Sequence, residues 1–530
     1  MIRKLLYASL LFFSFFSLNA QEEPSLADKI DQSFKPVSDW WVSIIFYSIP
    51  LGGLDVPLVL IILILGGLYF TVYFGLPQFK LFKTSLEVVA GKYDDFDHHD
   101  SMPVYGDPTP TLHEDIPETI KIEGEHHGEV SHFQALSAAL SATVGLGNIA
   151  GVAVAIALGG PGATFWMILA GLLGMASKFT ECTLGVKYRD IGPDGTVFGG
   201  PMYYLKKGLA KMGHGTLGRF LAGFFAVMVV GGSFGGGNMF QANQATAQFI
   251  ELFGIQNPNV KIVFGMVLAL FVGIVIIGGI KRIGKVAEKI VPFMAVLYVG
   301  AALIILVFHY KLIPEAISLI IKGAFTPEAG LGGFIGVMIM GFRRGTFSNE
   351  AGVGSAAIAH SAVKTKYPAS EGIVALLEPF IDTVLICTMT ALVLIITNIK
   401  YGLFKYGEQI EGVELTARAF DSVLPHFSII LTVAVILFAF STMLSWSYYG
   451  LQGWKFLFGR GKKMDLVYKL LFLFFVVLGA SVQLGSVLDF SDAMIFAMVF
   501  PNMIGIIILA PEVKEELRRY LNAIKSKHKK

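Results

Sequence analysis

Long apolar runs, separated by short polar stretches, make up most of the chain. A helix needs about 20 apolar residues to cross a hydrocarbon core of about 30 Å. The spacing of the runs therefore predicts an all-α polytopic membrane protein with about eleven helices after a signal peptide. The predicted spans lie at roughly 42–75, 134–157, 162–186, 220–251, 260–280, 288–309, 330–359, 372–398, 427–451, 467–485 and 490–510.

The first apolar run has the form of a secretory signal. Arg3 and Lys4 precede it, and it ends in small or polar residues at Ala20. This order of charge, apolar run and small-residue end is typical of a cleaved signal peptide. Leu18 is less suitable than alanine at the third position before the cut, so an uncleaved anchor is the alternative.

The basic residues between the spans predict the orientation. Lys and Arg are in excess in cytoplasmic loops, and here they are concentrated in every second loop. If the first mature span enters from outside, those loops and the C-terminus are cytoplasmic, in a bacterial-type inner (plasma) membrane. The basic positions are Lys187, Arg189, Lys206, Lys207, Lys211 and Arg219, then Lys281, Arg282, Lys285 and Lys289, then Lys364 and Lys366, then Lys455, Arg460, Lys462 and Lys463, and finally the tail from Lys514 to Lys530.

The longest polar interval is acidic and contains His98, His99, His113, His126 and His127. These side chains could bind a metal, but they lack tetrahedral ligand spacing, which favours a solvated linker. The predicted division is a signal peptide at 1–20, an exterior segment with an extra transmembrane helix at 21–79, this cytoplasmic loop at 80–130, two five-helix sets at 131–310 and 311–510, and a basic cytoplasmic tail at 511–530.

The composition agrees with a membrane protein and speaks against other classes. The chain is 54% hydrophobic and 15% charged, with 59 glycines and a mean hydropathy of +0.66. A net charge of +2 gives no sign of nucleic-acid binding. Cys182 and Cys387 lie in apolar runs, so neither a disulfide framework nor a paired-cysteine metal site is indicated. No HExxH, GxSxG or Walker A pattern occurs, which speaks against an enzyme and an ATP-driven pump.

The span at 134–157 is interrupted by Gly145, Gly147 and Gly151, with Asn148 among them. Each glycine weakens a helix by about 1 kcal/mol relative to alanine. One interpretation is a close-packing face of small residues. The other is a discontinuous helix whose freed amides and carbonyls hold a solute and a cation.

A short repeat favours the discontinuous helix. The pattern N-x-A-G-V occurs at 148–152 and again at 349–353. Both copies lie in the first helix of a five-helix set, and because five is odd the second set enters the membrane from the opposite side. Interrupted segments at corresponding positions of inverted repeats indicate a transport site.

Several motifs closely resemble those of the sodium:alanine symporter (alanine or glycine:cation symporter, amino-acid carrier) family. They are GNIAGVAVAIALGGPG at 147–162, GGPGATFWM at 159–167, FGGPMYYL at 198–205 and RGTFSNEAGVGSAAIAH at 344–360. The resemblance implies a LeuT-type fold of two inverted five-helix repeats, here preceded by one extra N-terminal helix. It also implies sodium-coupled uptake of a small neutral amino acid, with Na+ as the coupling ion. The chain departs from the family in a longer acidic insertion and in Leu146, where the family pattern has Thr.

Backbone amides at the first interruption are candidates for the substrate carboxylate. Leu146 and Gly147 lie where a half-helix would begin, and that end is favourable for an anion. Gln241 is a substrate contact by family resemblance, with interhelical hydrogen bonding as the alternative. Phe347 and Trp446 are expected to wall a small side-chain pocket, or else to be ordinary packing. Glycines at 352 and 450 (Gly352 and Gly450) allow close backbone approach or helix packing.

Four residues are candidate sodium ligands, because Na+ requires hard oxygen ligands. The carbonyls of Ser141 and Val144 precede the interruption, and Ser441 and Thr442 supply hydroxyls in the eighth core helix. The resemblance to LeuT-type proteins places a sodium between these two helices. The alternative is that the hydroxyls bond back to their own helix.

Charges within the spans need partners, since an isolated charge at the bilayer centre costs several kcal/mol. Glu350, Glu378, Asp382, Arg343 and Arg344 are such charges, and a structural or gating role is predicted for all five. A proton-coupled carrier of the same fold, with Glu350 or Glu378 titrating, is the alternative function. Alanine, glycine and serine are not distinguished, and the oligomeric state is left open.

Overall fold

A computed structural model describes residues 26–51, 54–97, 130–192, 196–257, 259–325, 330–407 and 412–527. The expected signal peptide at 1–20 and the five histidines of the acidic interval lie outside the described residues. Within those ranges the structure is almost entirely α-helical, with two short antiparallel β-hairpins. One hairpin pairs Ser48–Leu51 with Leu54–Pro57, and the other pairs Asp190–Ile191 with Val197–Phe198.

The predicted first span at 42–75 is wrong in its bounds. A helix ends at Ile45, a hairpin follows, and the apolar helix begins only at Leu58. Pro50 and Pro57 explain the change, because proline has no amide to donate within a helix. The elements are α1 (Leu26–Ile45), β1 (Ser48–Leu51), β2 (Leu54–Pro57) and α2 (Leu58–Tyr73).

The interval at 80–130, predicted as a loop, is folded in its first part. Ser85, Val88 and Asp97 are buried there. Tyr93 donates a hydrogen bond to Glu87 at 2.7 Å, and burial together with this bond raises the pKa of Tyr93 to about 12. Residues 77–97 therefore pack on the protein instead of forming a linker. The helices are α3 (Pro77–Lys80), α4 (Phe82–Val89) and α5 (Asp94–Asp97).

The described part of the first predicted five-helix set is mainly helical, with one short hairpin and two interrupted helices. Wide π-helical turns replace the regular helix at Gly147–Gly151 and Gly235–Met239, and such turns are frequent at functional sites. The elements are α6 (His132–Thr143), α7 (Val152–Gly159), α8 (Ala163–Lys187), β3 (Asp190–Ile191), β4 (Val197–Phe198), α9 (Pro201–Lys211), α10 (Gly215–Phe234), α11 (Phe240–Phe253), α12 (Val260–Ile276) and α13 (Gly279–Phe308).

The second predicted set is interrupted in the same manner. A 3₁₀ turn at Tyr310–Leu312 leads into it, and a third wide turn lies at Phe380–Cys387. The elements are α14 (Ile313–Phe325), α15 (Gly330–Asn349), α16 (Ala356–His360), α17 (Pro368–Ala375), α18 (Leu377–Pro379), α19 (Thr388–Tyr401), α20 (Gly412–Asp421), α21 (Phe427–Phe458), α22 (Lys462–Ser481), α23 (Leu484–Ala497) and α24 (Val499–Lys527).

The basic segment at 511–530, predicted as a tail, continues a helix in its described part. α24 runs from Val499 to Lys527. Lys187 of α8 lies 3.2 Å from Glu512 and 3.0 Å from Glu516, and Lys527 reaches Asp95 of α5 at 2.7 Å. These ion pairs hold the last helix against the rest of the protein.

Small residues let helices of the two sets approach closely. A Cβ atom added at Gly341 of α15 would lie 2.6 Å from the carbonyl oxygen of Ala163, and one at Gly345 would lie 3.2 Å from Cβ of Ala170. Backbone contact through small residues is a common way of packing helices in membranes. α15 is therefore fixed against α8.

The helices are suited to a multi-pass membrane protein. Among the described residues, seven helices are long and apolar enough to cross a membrane, or eight if the bent pair at 132–159 counts as one span. α2 and α12 are apolar but shorter. Large side chains such as Val296, Leu270 and Phe474 are exposed, as expected of surfaces that face lipid. Buried polar side chains at or beside the interruptions include Asn148, Asn238, Asn349 and Asp382.

Candidate functional site

The first interruption is a break in the helix, as predicted. α6 and the segment that follows it are bent by 52°. Two amides released by the break are hydrogen-bonded within the protein. The Gly145 amide donates to Oδ1 of Asn148 at 2.9 Å, and the Leu146 amide donates to Oε1 of Gln241 at 3.3 Å. Two of the predicted substrate contacts, Leu146 and Gln241, therefore contact each other in this structure.

Three of the four predicted sodium ligands form one cluster. Thr442 donates its hydroxyl to the carbonyl oxygen of Ser141 at 3.2 Å, and Ser141 donates its own hydroxyl to the carbonyl oxygen of Ser441 at 3.1 Å. Ser441 instead bonds back to its own helix, at the Phe438 carbonyl oxygen. The fourth predicted ligand, Val144, is the buried C-cap residue that directly follows the last residue of α6. Hard oxygen atoms thus lie together between α6 and α21.

Phe347 and Trp446 lie against the wide turn between α10 and α11. A Cβ atom at Gly236 would lie 3.5 Å from the Phe347 ring, and one at Gly237 would overlap the Trp446 ring at 2.2 Å. Gln241 donates its side-chain amide to the Gly236 carbonyl oxygen at 2.9 Å. This turn therefore connects both aromatic side chains with the first break.

The remaining predicted substrate contacts divide into one near the break and two away from it. A Cβ at Gly147 would lie 3.4 Å from Cα of Ser348 and 3.7 Å from the Phe347 ring. Gly352 faces Leu63 of α2, and Gly450 faces Ser233 of α10 at a close helix crossing. Gly147 therefore lies beside the aromatic wall, whereas the other two glycines serve helix packing here.

Asn148 is the centre of a polar network that the sequence analysis does not predict. Its side-chain amide donates to Oδ1 of Asp382 at 2.6 Å and to the Asp382 carbonyl oxygen at 3.1 Å. Ser348 and Thr383 donate their hydroxyls to the other carboxylate oxygen of Asp382, at 2.8 Å and 2.7 Å. The network joins the first break, the second break and the wide turn at 380–387. The only sequence signal for it is the repeated N-x-A-G-V pattern.

The second break lies between α15 and α16 and carries the repeat-related asparagine. Asn349 donates its side-chain amide to the Thr383 hydroxyl at 3.0 Å and accepts from the Ala351 amide at 2.9 Å. Glu350 has a positive φ of 54°, which is uncommon for a residue other than glycine. Both asparagines of the repeat therefore reach the same turn, at adjacent residues 382 and 383.

The five charges predicted to need partners all have them. Arg343 contacts Asp492 at 2.6 Å and Asp489 at 3.4 Å, and Arg344 also pairs with Asp492. Glu378 pairs with Lys178 of α8 at 2.9 Å. Glu350 accepts a hydrogen bond from the Trp446 indole at 3.1 Å, and Asp382 is held in the Asn148 network. A structural or gating role agrees with these contacts.

Helices broken at membrane depth, with polar groups gathered at the breaks, are typical of secondary transporters. The comparisons agree. The chain belongs to the sodium:alanine symporter family, whose model matches residues 110–530, and the resemblance found in the motifs is thereby confirmed.

Several relatives are named as transporters or carriers. The sodium/alanine symporter AgcS of Methanococcus maripaludis is 42% identical over 76% of this chain and 88% of its own length. A putative sodium/proton-dependent alanine carrier protein of Bacillus subtilis, YrbD, is 38% identical over 74% and 81%. A probable sodium/glutamine symporter of the same organism, GlnT, is 36% identical over 74% and 78%.

One solved structure with a related shape is MhsT in complex with L-phenylalanine. It is 15% identical, covers 74% of this chain and 100% of its own, and has a TM-score of 0.48. The LeuT-type arrangement of inverted repeats and the number of spans stay predictions.

Proposed function

We propose that the protein is a secondary active symporter that couples Na+ influx to uptake of a small neutral amino acid, alanine or glycine, by alternating access. The observation that carries the proposal is the contact between Thr442 and Ser141 across the first break. It places a hydroxyl and a carbonyl oxygen from two helices beside amides that can bind a carboxylate. The family, and the names of the relatives above, support both the ion and the substrate class.

The sodium ligands in this proposal are the carbonyl oxygens of Ser141 and Val144 and the hydroxyls of Ser441 and Thr442. Na+ replaces the direct Thr442–Ser141 hydrogen bond, because both oxygens turn their lone pairs to the ion. Ser441 is the weaker candidate, since its hydroxyl donates to its own helix. A cation here joins α6 to α21, so its binding favours one arrangement of the two helices.

The substrate carboxylate in this proposal binds at the amides of Leu146 and Gly147. Gln241 must then release the Leu146 amide, and its side chain becomes free to contact the substrate. Phe347 and Trp446 enclose a small side chain, because the glycine-rich turn at 235–239 brings α10 and α11 close to both rings. Gly352 and Gly450 are left with packing roles.

The proposal includes the orientation predicted from the loop charges. The mature N-terminus is then outside and the C-terminus cytoplasmic, and Arg343 and Arg344 lie on the outer side of the second break. Their pairing with Asp489 and Asp492 closes that side when the pocket is occluded. Movement of the broken helices against the remaining helices opens each side in turn.

The test is uptake of labelled alanine and glycine into proteoliposomes, with an inward sodium gradient or with potassium in its place. Accumulation that requires sodium supports the proposal. Alanine uptake that is independent of sodium at every pH would contradict the ion assignment. A lack of uptake of either amino acid would contradict the substrate assignment, and glutamine is then the next substrate to measure, since one relative is named as a glutamine symporter.

A proton-coupled carrier of the same fold is the second candidate. The hydrogen bond between the Trp446 indole and the buried carboxylate of Glu350 favours it, because protonation of Glu350 would alter the pocket wall. One relative is named as sodium/proton-dependent. Uptake driven by an inward proton gradient in the absence of sodium distinguishes this candidate from the first.

A further inference from the structure

A cluster of buried charges lies directly behind the pocket wall. Lys178 of α8 is fully buried and contacts Glu378 at 2.9 Å and Glu181 at 4.0 Å. Glu350 interacts electrostatically with the same lysine. It accepts hydrogen bonds from the Trp446 indole at 3.1 Å and from the Ser355 hydroxyl at 2.5 Å. The cluster therefore touches the proposed pocket wall through Glu350.

The cluster continues toward the predicted cytoplasmic side as alternating carboxylates and imidazoles. His360 lies 3.5 Å from Glu378 and 2.5 Å from Glu371. Glu371 also contacts His132, which in turn contacts Asp97 of α5 at 3.0 Å. All of these side chains are buried. Five different helices supply them, namely α5, α6, α16, α17 and α18. The chain of contacts therefore depends on tertiary packing.

The negative groups of this chain of contacts outnumber the positive ones. The carboxylates are Asp97, Glu181, Glu350, Glu371 and Glu378, and the cationic groups are Lys178, Arg189, His132 and His360. Arg189 stays charged, because burial lowers its pKa only to about 10. Even with both imidazoles protonated, five carboxylates face four cations. An uncompensated buried charge is costly, and a carboxylate in this position takes up a proton instead.

Glu350 is the carboxylate that lacks a compensating cation. In the described part of the chain it has no salt bridge within 4.0 Å, whereas each of the other four carboxylates has one. Its two hydrogen-bond partners are neutral, and the Ser355 hydroxyl can accept from a protonated carboxyl as readily as it donates to an ionised one. The other titratable groups that face this part of the cluster are Cys182, Tyr204, Tyr449 and Asp382.

Three buried atoms in the cluster also lack a hydrogen bond to any described residue. They are Oε1 of Glu181, Oε2 of Glu378 and Nε2 of His360. The last two face each other at 3.5 Å, slightly beyond hydrogen-bond distance. A proton that leaves Glu350 has acceptors here, so the cluster can redistribute one proton without a charge entering from outside.

We propose that the buried cluster around Lys178 is a proton-binding site, that Glu350 holds its exchangeable proton, and that the Trp446–Glu350 hydrogen bond couples this proton to occupancy of the pocket. In the exchange the O–H bond of Glu350 breaks and the proton passes to water by way of the cluster. Na+ and a zwitterionic amino acid together add a positive charge near Glu350 and so favour the carboxylate. Substrate binding then releases the proton, and by linkage the substrate binds more tightly as pH rises. The coupling between the proton and the substrate rests on the proposed function, whereas the presence of a proton on Glu350 does not.

The experiment uses the full chain in lipid nanodiscs and measures two quantities. The infrared carbonyl stretch of protonated carboxylic acids is recorded without substrate, and proton release on addition of alanine with sodium is followed with a pH indicator dye. We expect one protonated-acid band to be lost in Glu350→Gln and release of about one proton by the unmodified protein only. Glu251→Gln, which removes an exposed glutamate in α11, is the matched control and should leave both signals unchanged.

Each outcome is decisive. If Glu350→Gln is poorly folded, Ser355→Ala is used instead, and it should shift the band without removing it. A protonated-acid band that persists in Glu350→Gln, or one that is absent from the unmodified protein, overturns the proposal. If the band depends on Glu350 but alanine neither binds nor releases a proton, the proton site stands and the proposed substrate fails.

Discussion

The two breaks carry the same N-x-A-G-V pattern, yet the asparagine of each copy has different hydrogen-bond partners. At the first break, Asn148 accepts from the amide of Gly145, three residues before it, and donates to Asp382. At the second, Asn349 accepts from the amide of Ala351, two residues after it, and donates to Thr383. One asparagine therefore caps the chain that enters the break, and the other caps the chain that leaves it.

The backbone conformation also differs between the two breaks. At the first break Val144 leaves the helical region with ψ 85°, whereas Leu146 and Val152, at the two ends of the wide turn, have right-handed helical angles. The helix therefore bends by 52° and resumes as a widened turn without any positive φ at these three residues. The second break needs positive φ at Glu350, Gly352 and Gly354, so the chain there turns sharply. A widened helix can bind and release ligands with small rearrangements, whereas a sharp turn fixes the position of Glu350 behind Trp446. The first break is thus suited to ligand binding and the second to coupling.

The largest effect is expected for Gly354→Ala. Its φ of +94° is rarely adopted by residues with a side chain, and the added Cβ would lie 2.7 Å from Cγ of Pro201 and 2.9 Å from Cγ of Asn502. Backbone strain and overlap each cost about 1–3 kcal/mol. The variant should lose most folded protein, measured as the monodisperse fraction and the Tm in detergent. Gly336→Ala, with no atom near the added methyl group, is the control, and equal Tm values for the two variants would show that the sharp turn is not required.

Asn148→Ala should cause the next largest effect. It leaves the Gly145 amide and Oδ1 of Asp382 without the hydrogen bonds that Asn148 provides, and each unpaired buried group costs about 1–3 kcal/mol. Asn349→Ala should cost less, because only a neutral hydroxyl and one amide lose a bond. Sodium-driven alanine uptake and Tm measure both losses. The half-buried Asn257, whose side chain bonds only to the Asn259 amide among the described contacts, provides the control Asn257→Ala. A larger loss in Asn349→Ala would reverse the assignment of roles to the two breaks.

Sequence patterns locate these breaks but do not reveal the hydrogen-bond partners of the polar groups at each break. Glycine spacing and the repeated asparagine act on the local backbone, so their effect can be inferred from the sequence alone. The Leu146–Gln241 hydrogen bond joins residues 95 positions apart, and the bond from Asn148 to Asp382 spans 234. Such pairs depend on tertiary packing. The hairpin after α1 and the burial of Asp97 also depend on tertiary packing and were not predicted. The sequence of a polar interval is similar whether the interval is solvated or packs against the protein.

Thr442→Ala should weaken sodium binding at the first break by about tenfold or more, since loss of one ligand oxygen costs at least about 1.4 kcal/mol. Ser441→Ala should have a smaller effect, because the Ser441 hydroxyl already bonds to the Phe438 carbonyl oxygen. The measurement is the sodium concentration that gives half-maximal alanine uptake. Thr442→Ser keeps the hydroxyl and should stay near the unmodified value. Equal losses in Thr442→Ala and Ser441→Ala would show that the two hydroxyls contribute alike, and the ligand set would need revision.

The smallest effect is expected for Gly151→Ala. Gly151 has the same place in the first copy of the N-x-A-G-V pattern as Gly352 has in the second. Gly151 has helical angles, φ −63° and ψ −39°, and an added Cβ would have no atom within 4 Å. Alanine restricts the unfolded chain, which stabilises the fold by about 0.5–1 kcal/mol, so a Tm rise of at most about 2 °C is expected. Sodium affinity should not change. If the Tm rises while the uptake rate falls, then glycine at 151 serves movement of the break, and the widened helix must open further during transport than this structure shows.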